Sequence, residues 1–456
     1  MADRPVVLVS NRGPVTFTRA DGRLTAKRGA GGLVSGLAPL VVGTDTTWIA
    51  AAMTEGDREA ASGGAVEAEG FRVRLLGLDP ADYRMAYDVV CNETLWFLYH
   101  NLFDLARLPR FDQRWREAWS AYRRVNAAFA EAVAAEAPEG AAVLVQDYHL
   151  ALVGEQLAEQ RRDVAIVHFS HTPFCTPDMV RVLPGNVGGE LLAGMVSARA
   201  CGFHTRRWAG RFDACCRSVL GTPPRTFVAP LASDPDDIRS VAASDACAAE
   251  LEALDERLAG RRLVLRVERV ELSKNLLRGF HAYDNLLARH PELRGEVVFA
   301  AFVYPSREGL PAYLAYRQEV ESLVRRVNER WGTPDWEPIV LDMTDNFPRS
   351  VAGLRRYDVL LVNAVSDGLN LVAMEGALVN ERGGVLALSR EAGAWEELGE
   401  LAIGLNPYDL VETADALHAA LTMPEDERRR RADALALKAA ARTPADWLDD
   451  LMAAAG

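Results

Sequence analysis

Two cations that follow a buried apolar run could bind a diphosphate. Arg269 and Lys274 come soon after the run Leu263–Val267, which reads as a strand. In open α/β sheets, ligands bind at the carboxyl ends of the strands, and phosphate oxygens accept charge-assisted hydrogen bonds from such cations. A surface loop with ordinary ion pairs is the alternative interpretation.

A second cluster of polar residues follows the apolar run Val359–Asn363. Gly368 allows a ligand to approach the backbone closely, and the amides after it would open a helix toward a phosphate. Asp367 could hold a sugar hydroxyl, and Glu375, about one to two turns into that helix, could reach a ribose. A helix that is capped for structural reasons alone is the alternative.

Glycines near the N-terminus form a third candidate. The first apolar run, Val6–Val9, is followed by Ser10–Pro14 and then by the glycine-rich stretch Lys27–Gly36. Glycines before a helix expose backbone N–H groups that an anion can bind. A flexible hairpin followed by the start of a helix explains the same residues without a ligand.

Metal-binding patterns in the sequence are weak. His168 and His171 lie near the end of a predicted strand, but no third ligand is close in sequence. Asp234-Pro235-Asp236 has the form of a motif that holds a metal-bound sugar nucleotide, and it is more simply a turn and a helix cap. The chain also lacks P-loop, dinucleotide-binding and nucleophile-elbow motifs. We therefore predict no metal site and no cofactor.

The elements that would position these residues alternate along the chain. Short runs rich in Val, Leu and Ile read as strands buried on both faces, and amphipathic stretches such as Trp115–Ala135 lie between them. This alternation is typical of α/β proteins with parallel sheets. The predicted strands are Val6–Ser10, Ala142–Gln146, Val164–Ser170, Leu263–Val267, Val297–Val303, Ile339–Leu341, Val359–Asn363 and Val385–Ser389.

Composition and charge restrict the possible functions. Of the 456 residues, 49% are hydrophobic and 25% are charged, which is an ordinary globular mixture. The net charge of −13 argues against general nucleic-acid binding, because such a surface repels phosphate backbones. The run Val6–Val9 is far too short for a signal sequence or a membrane span, so we expect a cytoplasmic protein without membrane contact. Six irregularly spaced cysteines fit reduced thiols.

A proline-rich segment marks the predicted domain boundary. Gly221–Pro235 contains several prolines, and a single hydrophobic core stops growing at roughly 250–300 residues. We predict an N-terminal domain over residues 1–230 and a second domain over residues 231–440. A C-terminal helix over residues 441–456 could cross back to the first domain.

Taken in order, these clusters resemble those of the trehalose-6-phosphate synthases, the retaining glycosyltransferases of family 20. Each motif is weak alone, but the ordered series is specific and runs from Val6 to about Trp447. The resemblance implies two facing Rossmann-like domains, the GT-B arrangement, with the active site in the cleft between them. Further matching segments are Asn92–Trp96, Gln146–Leu150, His171–Phe174, Gly202–Thr205, Ala301–Arg307, Arg390–Ala394 and Asn406–Asp409.

The resemblance also assigns residues to the two substrates. The implied acceptor-binding residues are Arg12, Tyr87, Trp96, Asp147 and Arg307. The implied donor-binding residues are Gly32, Leu33, His171, Arg269, Lys274, Asp367, Asn370, Leu371, Val372 and Glu375. The implied catalytic residues are Asp147, Arg269 and Lys274.

The implied reaction transfers glucose from GDP-glucose or UDP-glucose to glucose 6-phosphate with retention, giving trehalose 6-phosphate. Similarity to the actinobacterial members, in Arg266–Asn275 and Phe347–Ser350, favours GDP-glucose. The nucleotide sugar is a substrate rather than a cofactor, and no metal is implied. The implied partners are small-molecule substrates, and a homo-oligomer is left open.

Three departures from the family pattern leave alternatives open. Gln146 stands where the family usually has His, and Met374 stands where it usually has Lys. Leu378–Arg382 is closer to the validoxylamine-phosphate synthase type, so a pseudo-glycosyltransferase that uses a cyclitol nucleotide or another phosphorylated acceptor is one alternative. A non-catalytic sugar-phosphate sensor is another, although residues of both half-sites are retained.

Overall fold

The chain folds into two compact α/β units. A computed structural model describes residues 4–20, 23–29, 36–37 and 41–456. The first unit comprises Met1–Leu231 together with Pro444–Gly456, and the second comprises Ala232–Thr443. Each unit is built around its own largely parallel sheet, which confirms the predicted α/β class.

The strands of the first unit form a sheet and a separate hairpin. They are β1 Val6–Val9, β2 Val15–Ala20, β3 Arg23–Arg28, β4 Thr47–Ala51, β5 Ala65–Ala68, β6 Phe71–Leu76, β7 Ala142–Gln146, β8 Ala165–Ser170, β9 Ala200–Phe203 and β10 Thr226–Val228. The sheet order is β10-β9-β8-β7-β1-β4-β6-β5, in which β5 is antiparallel to β6, and β2 pairs with β3 apart from it. The strand order reverses between β1 and β7, and ligands bind at the carboxyl ends of strands at such a reversal.

Helices cover the sheet of the first unit. They are α1 Glu55–Ala61, α2 Pro80–Arg84, α3 Trp96–Tyr99, α4 Gln113–Glu136, α5 Val153–Gln160, α6 Pro177–Val180, α7 Val187–Val196 and α8 Arg206–Val219, with a π-helix over Met85–Leu95 and a 3-10 helix over Tyr148–Leu150. The predicted amphipathic helix is α4. Its start is capped by the Asp112 carboxylate, which accepts a hydrogen bond from the Trp115 amide at 2.9 Å.

The second unit contains a fully parallel sheet. Its strands are β11 Arg262–Arg269, β12 Val297–Tyr304, β13 Ile339–Asp342, β14 Val359–Val362, β15 Val385–Ser389 and β16 Ile403–Leu405. Their order among the described residues is β13-β12-β11-β14-β15-β16. Here the strand order reverses between β11 and β14, so the loops after these two strands form the expected binding edge.

Helices of the second unit alternate with its strands. They are α9 Pro235–Ala242, α10 Asp245–Leu258, α11 Leu276–Arg289, α12 Pro311–Trp331, α13 Phe347–Arg356, α14 Leu371–Val379, α15 Trp395–Leu398, α16 Leu410–Thr422 and α17 Glu425–Ala439, with 3-10 helices over Leu272–Lys274 and Pro291–Leu293. Across the described ranges, no helix has both the length and the apolar composition needed to cross a bilayer.

The last helix, α18 Pro444–Ala455, belongs to the first unit. Trp447 is fully buried. Its ring centroid lies 5.0 Å from that of Phe169, and 5.8 Å from that of His171. The helix therefore packs near the carboxyl end of β8, beside a predicted donor residue.

Candidate active site

The loop after β1 meets aromatic side chains of the π-helix. The Arg12 guanidinium donates from Nη2 to the Tyr87 hydroxyl at 3.4 Å, and the Tyr83 hydroxyl donates to Asn11 Oδ1 at 3.1 Å. The rings of Tyr83 and Tyr87 are stacked, with centroids 5.7 Å apart. The structure thus brings together two predicted acceptor residues, Arg12 and Tyr87, and adds Asn11 and Tyr83, which the sequence analysis missed.

Trp96, another predicted acceptor residue, begins α3 directly after the π-helix. Its buried ring is stacked on His100 with a centroid distance of 3.9 Å and lies 6.2 Å from the ring of Tyr148. Tyr148 follows Asp147 in the chain. The π-helix and α3 therefore place Trp96 close to the segment that carries the candidate catalytic carboxylate.

Asp147 occupies an uncommon backbone conformation at the end of β7. Its φ is 69°, in the left-handed region that residues other than glycine rarely adopt. Its Oδ1 accepts a hydrogen bond from the His171 amide at 3.2 Å, and His149 Nδ1 lies 3.9 Å from Oδ2. Backbone strain of this kind clusters at functional sites. The structure brings Asp147 and His171 together, at the carboxyl ends of neighbouring strands.

The imidazole of His171 is engaged by two buried side chains. Its Nε2 lies 2.9 Å from Gln146 Oε1, and its Nδ1 lies 3.2 Å from His204 Nε2. Burial, and then the neighbouring His204 and His168, hold the pKa of His171 well below its usual range. His171 is therefore a neutral imidazole, and Gln146, one of the three departures, is one of its direct partners.

A buried charge cluster lies where the loops after β11 and β14 meet. Lys274 Nζ donates to Asp367 Oδ2 at 2.5 Å and lies 3.6 Å from Glu268 Oε2. Burial opposes the charge on Lys274, but Asp367 and Glu268 outweigh it and raise its pKa. Glu268 also lies 3.4 Å from the buried Arg266. Lys274 is thus held as a cation at the carboxyl edge of the second sheet.

Helix α14 begins beside this cluster. Asn370 has a φ of 86°, and its Oδ1 accepts a hydrogen bond from the Ala373 amide at 3.1 Å. Its Nδ2 donates to Asp367 at 3.0 Å, so one side chain both caps the helix and holds the carboxylate. Leu371 and Val372 form the first turn. Two other predicted donor residues, Gly32 and Leu33, lie outside the described residues.

Glu375 lies further along α14 and has a perturbed acidity. Burial raises the pKa of its carboxyl group to about 7, and the negative charge of Asp237 adds to that shift. Met374, which stands where the family usually has Lys, is buried. The position before Glu375 therefore supplies no cation to this part of the second unit.

Arg269 and Arg307 lie at the same edge of the second sheet. Arg307 donates from Nη1 to the Glu271 carboxylate and, at 3.3 Å, to the Tyr313 hydroxyl, which itself donates to Glu271. Arg269 ends β11 and acts electrostatically on both Lys274 and Tyr313. Arg307 was predicted to bind the acceptor together with residues of the first unit, and the structure fixes it here through the fully buried Glu271.

Several residues of these clusters were missed by the sequence analysis. Glu268 and Glu271 could have been found from the sequence, because both follow the apolar run Leu263–Val267 and lie beside Arg266, Arg269 and Lys274. Carboxylates in such a position are rarely buried unless they are paired with a cation. His204 lies in a matching segment, Gly202–Thr205, but nothing in its spacing pointed to His171. That contact depends on the neighbouring positions of β8 and β9 in the sheet.

The Asp234-Pro235-Asp236 segment is a helix cap. Asp234 Oδ1 accepts hydrogen bonds from the amides of Asp236 and Asp237, at 2.9 and 3.3 Å. Pro235 is the first residue of α9, a position that suits proline. The simpler interpretation of this segment, a turn and a cap, is confirmed.

Among the described residues, one group brings three potential metal ligands together. In the second unit, Glu292 Oε1 lies 3.2 Å from His290 Nδ1 and 3.8 Å from His418 Nε2. The two rings are stacked 3.8 Å apart and are 15° from parallel. A metal bound to an imidazole nitrogen lies near the plane of that ring. Two nearly parallel rings at this spacing cannot both bind one ion, so the group does not fit a metal site in this conformation.

Comparison with known proteins identifies the family. Over residues 4–455 the chain matches the model of Glycosyltransferase family 20. It is 33% identical over 449 residues to the alpha,alpha-trehalose-phosphate synthase (UDP-forming) of Schizosaccharomyces pombe. This match covers 93% of this chain and 85% of that protein. These matches confirm the resemblance that the ordered motifs indicated.

Solved structures support the same assignment. An alpha,alpha-trehalose-phosphate synthase (UDP-forming) from Burkholderia xenovorans in complex with glucose-6-phosphate matches with a TM-score of 0.86 and 27% identity, over 98% of this chain and 99% of that one. An E. coli trehalose-6-phosphate structure bound with UDP-2-fluoro glucose matches with a TM-score of 0.85 and 27% identity, over 98% of each chain. The chain therefore belongs to glycosyltransferase family 20.

Proposed function

We propose that this protein transfers glucose from a nucleotide diphosphate sugar, GDP-glucose or UDP-glucose, to glucose 6-phosphate and so forms trehalose 6-phosphate. The observation that carries the proposal is the cluster of Lys274, Asp367 and the start of α14 at one sheet edge. A cation and a helix N-terminus suit a diphosphate, and a carboxylate suits a sugar hydroxyl. Relatives described as trehalose-phosphate synthases, and related structures with UDP-2-fluoro glucose or glucose-6-phosphate, support this choice of substrates.

Leaving-group stabilisation is the main catalytic contribution in this proposal. As the bond from the sugar C1 to the diphosphate oxygen breaks, negative charge grows on the diphosphate. In this proposal, Lys274, Arg269 and the amides that open α14 stabilise that charge. Lys274 can shift from Asp367 to the diphosphate, because Asp367 keeps its hydrogen bond from Asn370.

Transfer with retention needs no enzyme nucleophile in this proposal. The acceptor hydroxyl forms its bond to C1 on the face that the diphosphate leaves, and its proton passes to the departing diphosphate oxygen. The Asp147 carboxylate, which is held by the His171 amide, accepts a hydrogen bond from the acceptor sugar and so orients that sugar. Arg12 and Arg307 supply the planar guanidinium groups that phosphate prefers.

The deciding experiment is product analysis. Purified protein is incubated with GDP-glucose, UDP-glucose or a cyclitol nucleotide, each with glucose 6-phosphate or another sugar phosphate, and the products are identified by mass spectrometry and anomeric NMR. Trehalose 6-phosphate with an α,α linkage supports the proposal, and the ratio of kcat/KM for the two glucose donors assigns the base. Turnover only with a cyclitol donor would favour the pseudo-glycosyltransferase. Binding of both substrates without any product would favour the sensor.

We expect activity to survive chelation. Lys274 and Arg269 take the place of a metal at the diphosphate, and Asp234 is already committed to two backbone amides. Activity in excess EDTA should stay within about tenfold of the untreated rate, a difference of only ~1.4 kcal/mol in activation free energy. Complete loss of activity that Mn²⁺ restores would contradict this expectation.

Donor affinity should weaken as the pH falls through the pKa of Glu375, which is about 7. The ionised carboxylate accepts hydrogen bonds from ribose hydroxyls, so protonation competes with binding. Between about pH 8 and pH 6 the donor Kd should rise about tenfold, as one protonation predicts. Calorimetry with the nucleotide sugar alone measures this, because its diphosphate does not titrate in that range.

Two variants isolate the origin of this pH dependence. Glu375→Gln should bind the donor more weakly at pH 8 and show a flat profile. Asp237→Asn removes the neighbouring charge and should shift the wild-type profile to lower pH, since that charge raises the pKa of Glu375. A wild-type donor Kd that is constant over this range would remove Glu375 from the ribose site.

A further inference from the structure

A continuous chain of hydrogen bonds crosses the carboxyl ends of β7, β8 and β9. The Leu231 amide donates to His204 Nδ1 at 3.2 Å, and His204 Nε2 lies 3.2 Å from His171 Nδ1. His171 Nε2 then lies 2.9 Å from Gln146 Oε1. Finally, Gln146 Nε2 donates to the carbonyl oxygen of Leu144 at 3.2 Å. Three side chains thus link a backbone N–H at one end to a backbone carbonyl at the other.

The two backbone groups fix the direction of every bond in this chain. An amide N–H only donates and a carbonyl only accepts. His204 must therefore accept at Nδ1 and carry its proton on Nε2, which it donates to His171. His171 in turn accepts at Nδ1 and carries its proton on Nε2, facing Gln146. The glutamine oxygen must face His171, because the glutamine NH₂ group is directed to Leu144. Any other assignment places two donors or two acceptors opposite each other.

Protonation of either histidine would disrupt this series of hydrogen bonds. A proton on Nδ1 of His171 would oppose the Nε2 proton of His204, and a proton on Nδ1 of His204 would oppose the Leu231 amide. Among the described residues, the ionisable side chains that act on the His171 ring are His168, in β8, and His204, after β9, while the Asp147 carboxylate accepts a hydrogen bond from the His171 backbone amide. Burial lowers the pKa of His168 to about 4, so it remains neutral as well.

The same residues hold Asp147 in its uncommon conformation. Gln146 directly precedes Asp147, and its side chain is fixed at both ends by His171 and Leu144. The backbone amide of His171 donates to Asp147 Oδ1. A residue with positive φ persists only where its surroundings determine its conformation. Here the hydrogen bonds of Gln146 fix the residue before Asp147, and the His171 amide holds the Asp147 carboxylate.

We propose that Gln146 and His204 are positioning residues that fix His171 as its neutral Nε2–H tautomer and, through His171, fix the orientation of the Asp147 carboxylate. A glutamine suits this position because its amide offers a donor and an acceptor at once and does not titrate. A third histidine here would add a group with a pKa close to neutrality. The kinetic consequences of this inference rest on the proposed function, whereas the tautomers follow from the hydrogen-bond geometry alone.

Nitrogen-15 NMR of histidine-labelled full-length protein tests the tautomers directly. The chain has eight histidines, and single His171→Gln and His204→Gln variants assign the two relevant rings. Both rings should show a protonated Nε2 and an unprotonated Nδ1, without change over about pH 6–8, where an ordinary histidine titrates. A protonated Nδ1 on either ring in this range would overturn the proposal.

Two substitutions of Gln146 test the positioning role. Gln146→Leu removes the acceptor for the His171 Nε2 proton and should lower kcat about tenfold or more, with a smaller change in donor affinity. Gln146→Glu places a carboxylate against that proton and favours the imidazolium. In that variant His171 should titrate in the NMR spectrum and kcat should gain a matching pH dependence, which a purely structural residue would not produce.

Gln160→Leu is the matched control. Gln160 is exposed at the end of α5 and bonds within its own helix, to the Gln156 carbonyl. It should keep the wild-type kcat, pH profile and histidine spectrum. A Gln146→Leu protein that is folded and keeps the wild-type kcat would contradict the positioning role.

The tests separate this inference from the proposed function. If the wild-type protein makes no trehalose 6-phosphate but both rings carry their protons on Nε2, the proposed function fails and the tautomer assignment stands. If the protein makes trehalose 6-phosphate but His171 carries its proton on Nδ1, only this inference fails.

Discussion

Replacing Lys274 with alanine is expected to lower kcat by about a hundredfold or more, equivalent to about 2.7 kcal/mol of transition-state stabilisation. In the proposed mechanism, Lys274 acts on charge that develops on the diphosphate as the bond to the sugar breaks. Donor affinity should fall less, because in the same proposal Arg269 and the start of α14 still bind the ground-state diphosphate. Steady-state kinetics for kcat and calorimetry for donor Kd make the comparison.

Lys274→Gln and an exposed lysine provide the controls. Lys274→Gln keeps most of the bulk beside Asp367 and Glu268 while removing the charge, so it separates electrostatics from packing. Lys438, which is half exposed on α17, is the matched site, and Lys438→Gln should leave kcat unchanged. A folded Lys274→Ala enzyme with the wild-type kcat would show that another group stabilises the leaving diphosphate.

Strands made of large aliphatic residues were predictable from local sequence. Ala142–Gln146 and Val385–Ser389 occur with the predicted bounds, since continuous apolar runs suit parallel strands that are covered on both faces. Strand β6, Phe71–Leu76, was missed because arginines interrupt its apolar residues. One of them, Arg74, lies 3.4 Å from Glu136 of the covering helix α4. Glu136 lies far from Arg74 along the chain, so a local sequence pattern does not reveal this ion pair.

Strand β9 shows why small residues conceal a buried strand. A Cβ atom at Gly202 would lie 2.4 Å from Phe169 and 2.5 Å from Phe227, so the two rings require glycine there. The residue type is therefore set by aromatic side chains on both neighbouring strands rather than by the propensity of β9 itself.

The candidate site could be predicted as separate motifs but not as a set of contacts. Lys274 and Asp367 each follow an apolar run, and that position alone marked them as candidates. Their hydrogen bond joins residues 93 positions apart and exists because β11 and β14 are neighbours in the sheet. The same holds for His171 and His204, which meet because β8 and β9 pair.

Arg307→Ala is expected to raise the KM for glucose 6-phosphate at least about tenfold, a loss of roughly 1.5–3 kcal/mol in binding. A phosphate dianion prefers the planar fork of a guanidinium, so Arg307→Lys should recover little of the affinity. The change in kcat should be smaller, because the proposed contact of Arg307 is with the phosphate and not with the reacting atoms. Initial rates at saturating donor measure this effect.

A second variant separates phosphate binding by Arg307 from its structural role within the second unit. Arg307 donates to the fully buried Glu271, which also accepts a hydrogen bond from Tyr313. Tyr313→Phe disturbs that network without removing the guanidinium, so it should change the acceptor KM much less than Arg307→Ala does. Unphosphorylated glucose as the acceptor completes a double-mutant-type cycle. If Arg307 binds the phosphate, Arg307→Ala and the wild-type enzyme should use unphosphorylated glucose equally well. Equal losses with glucose and glucose 6-phosphate would mean that Arg307 supports the fold around Glu271 and does not bind the acceptor.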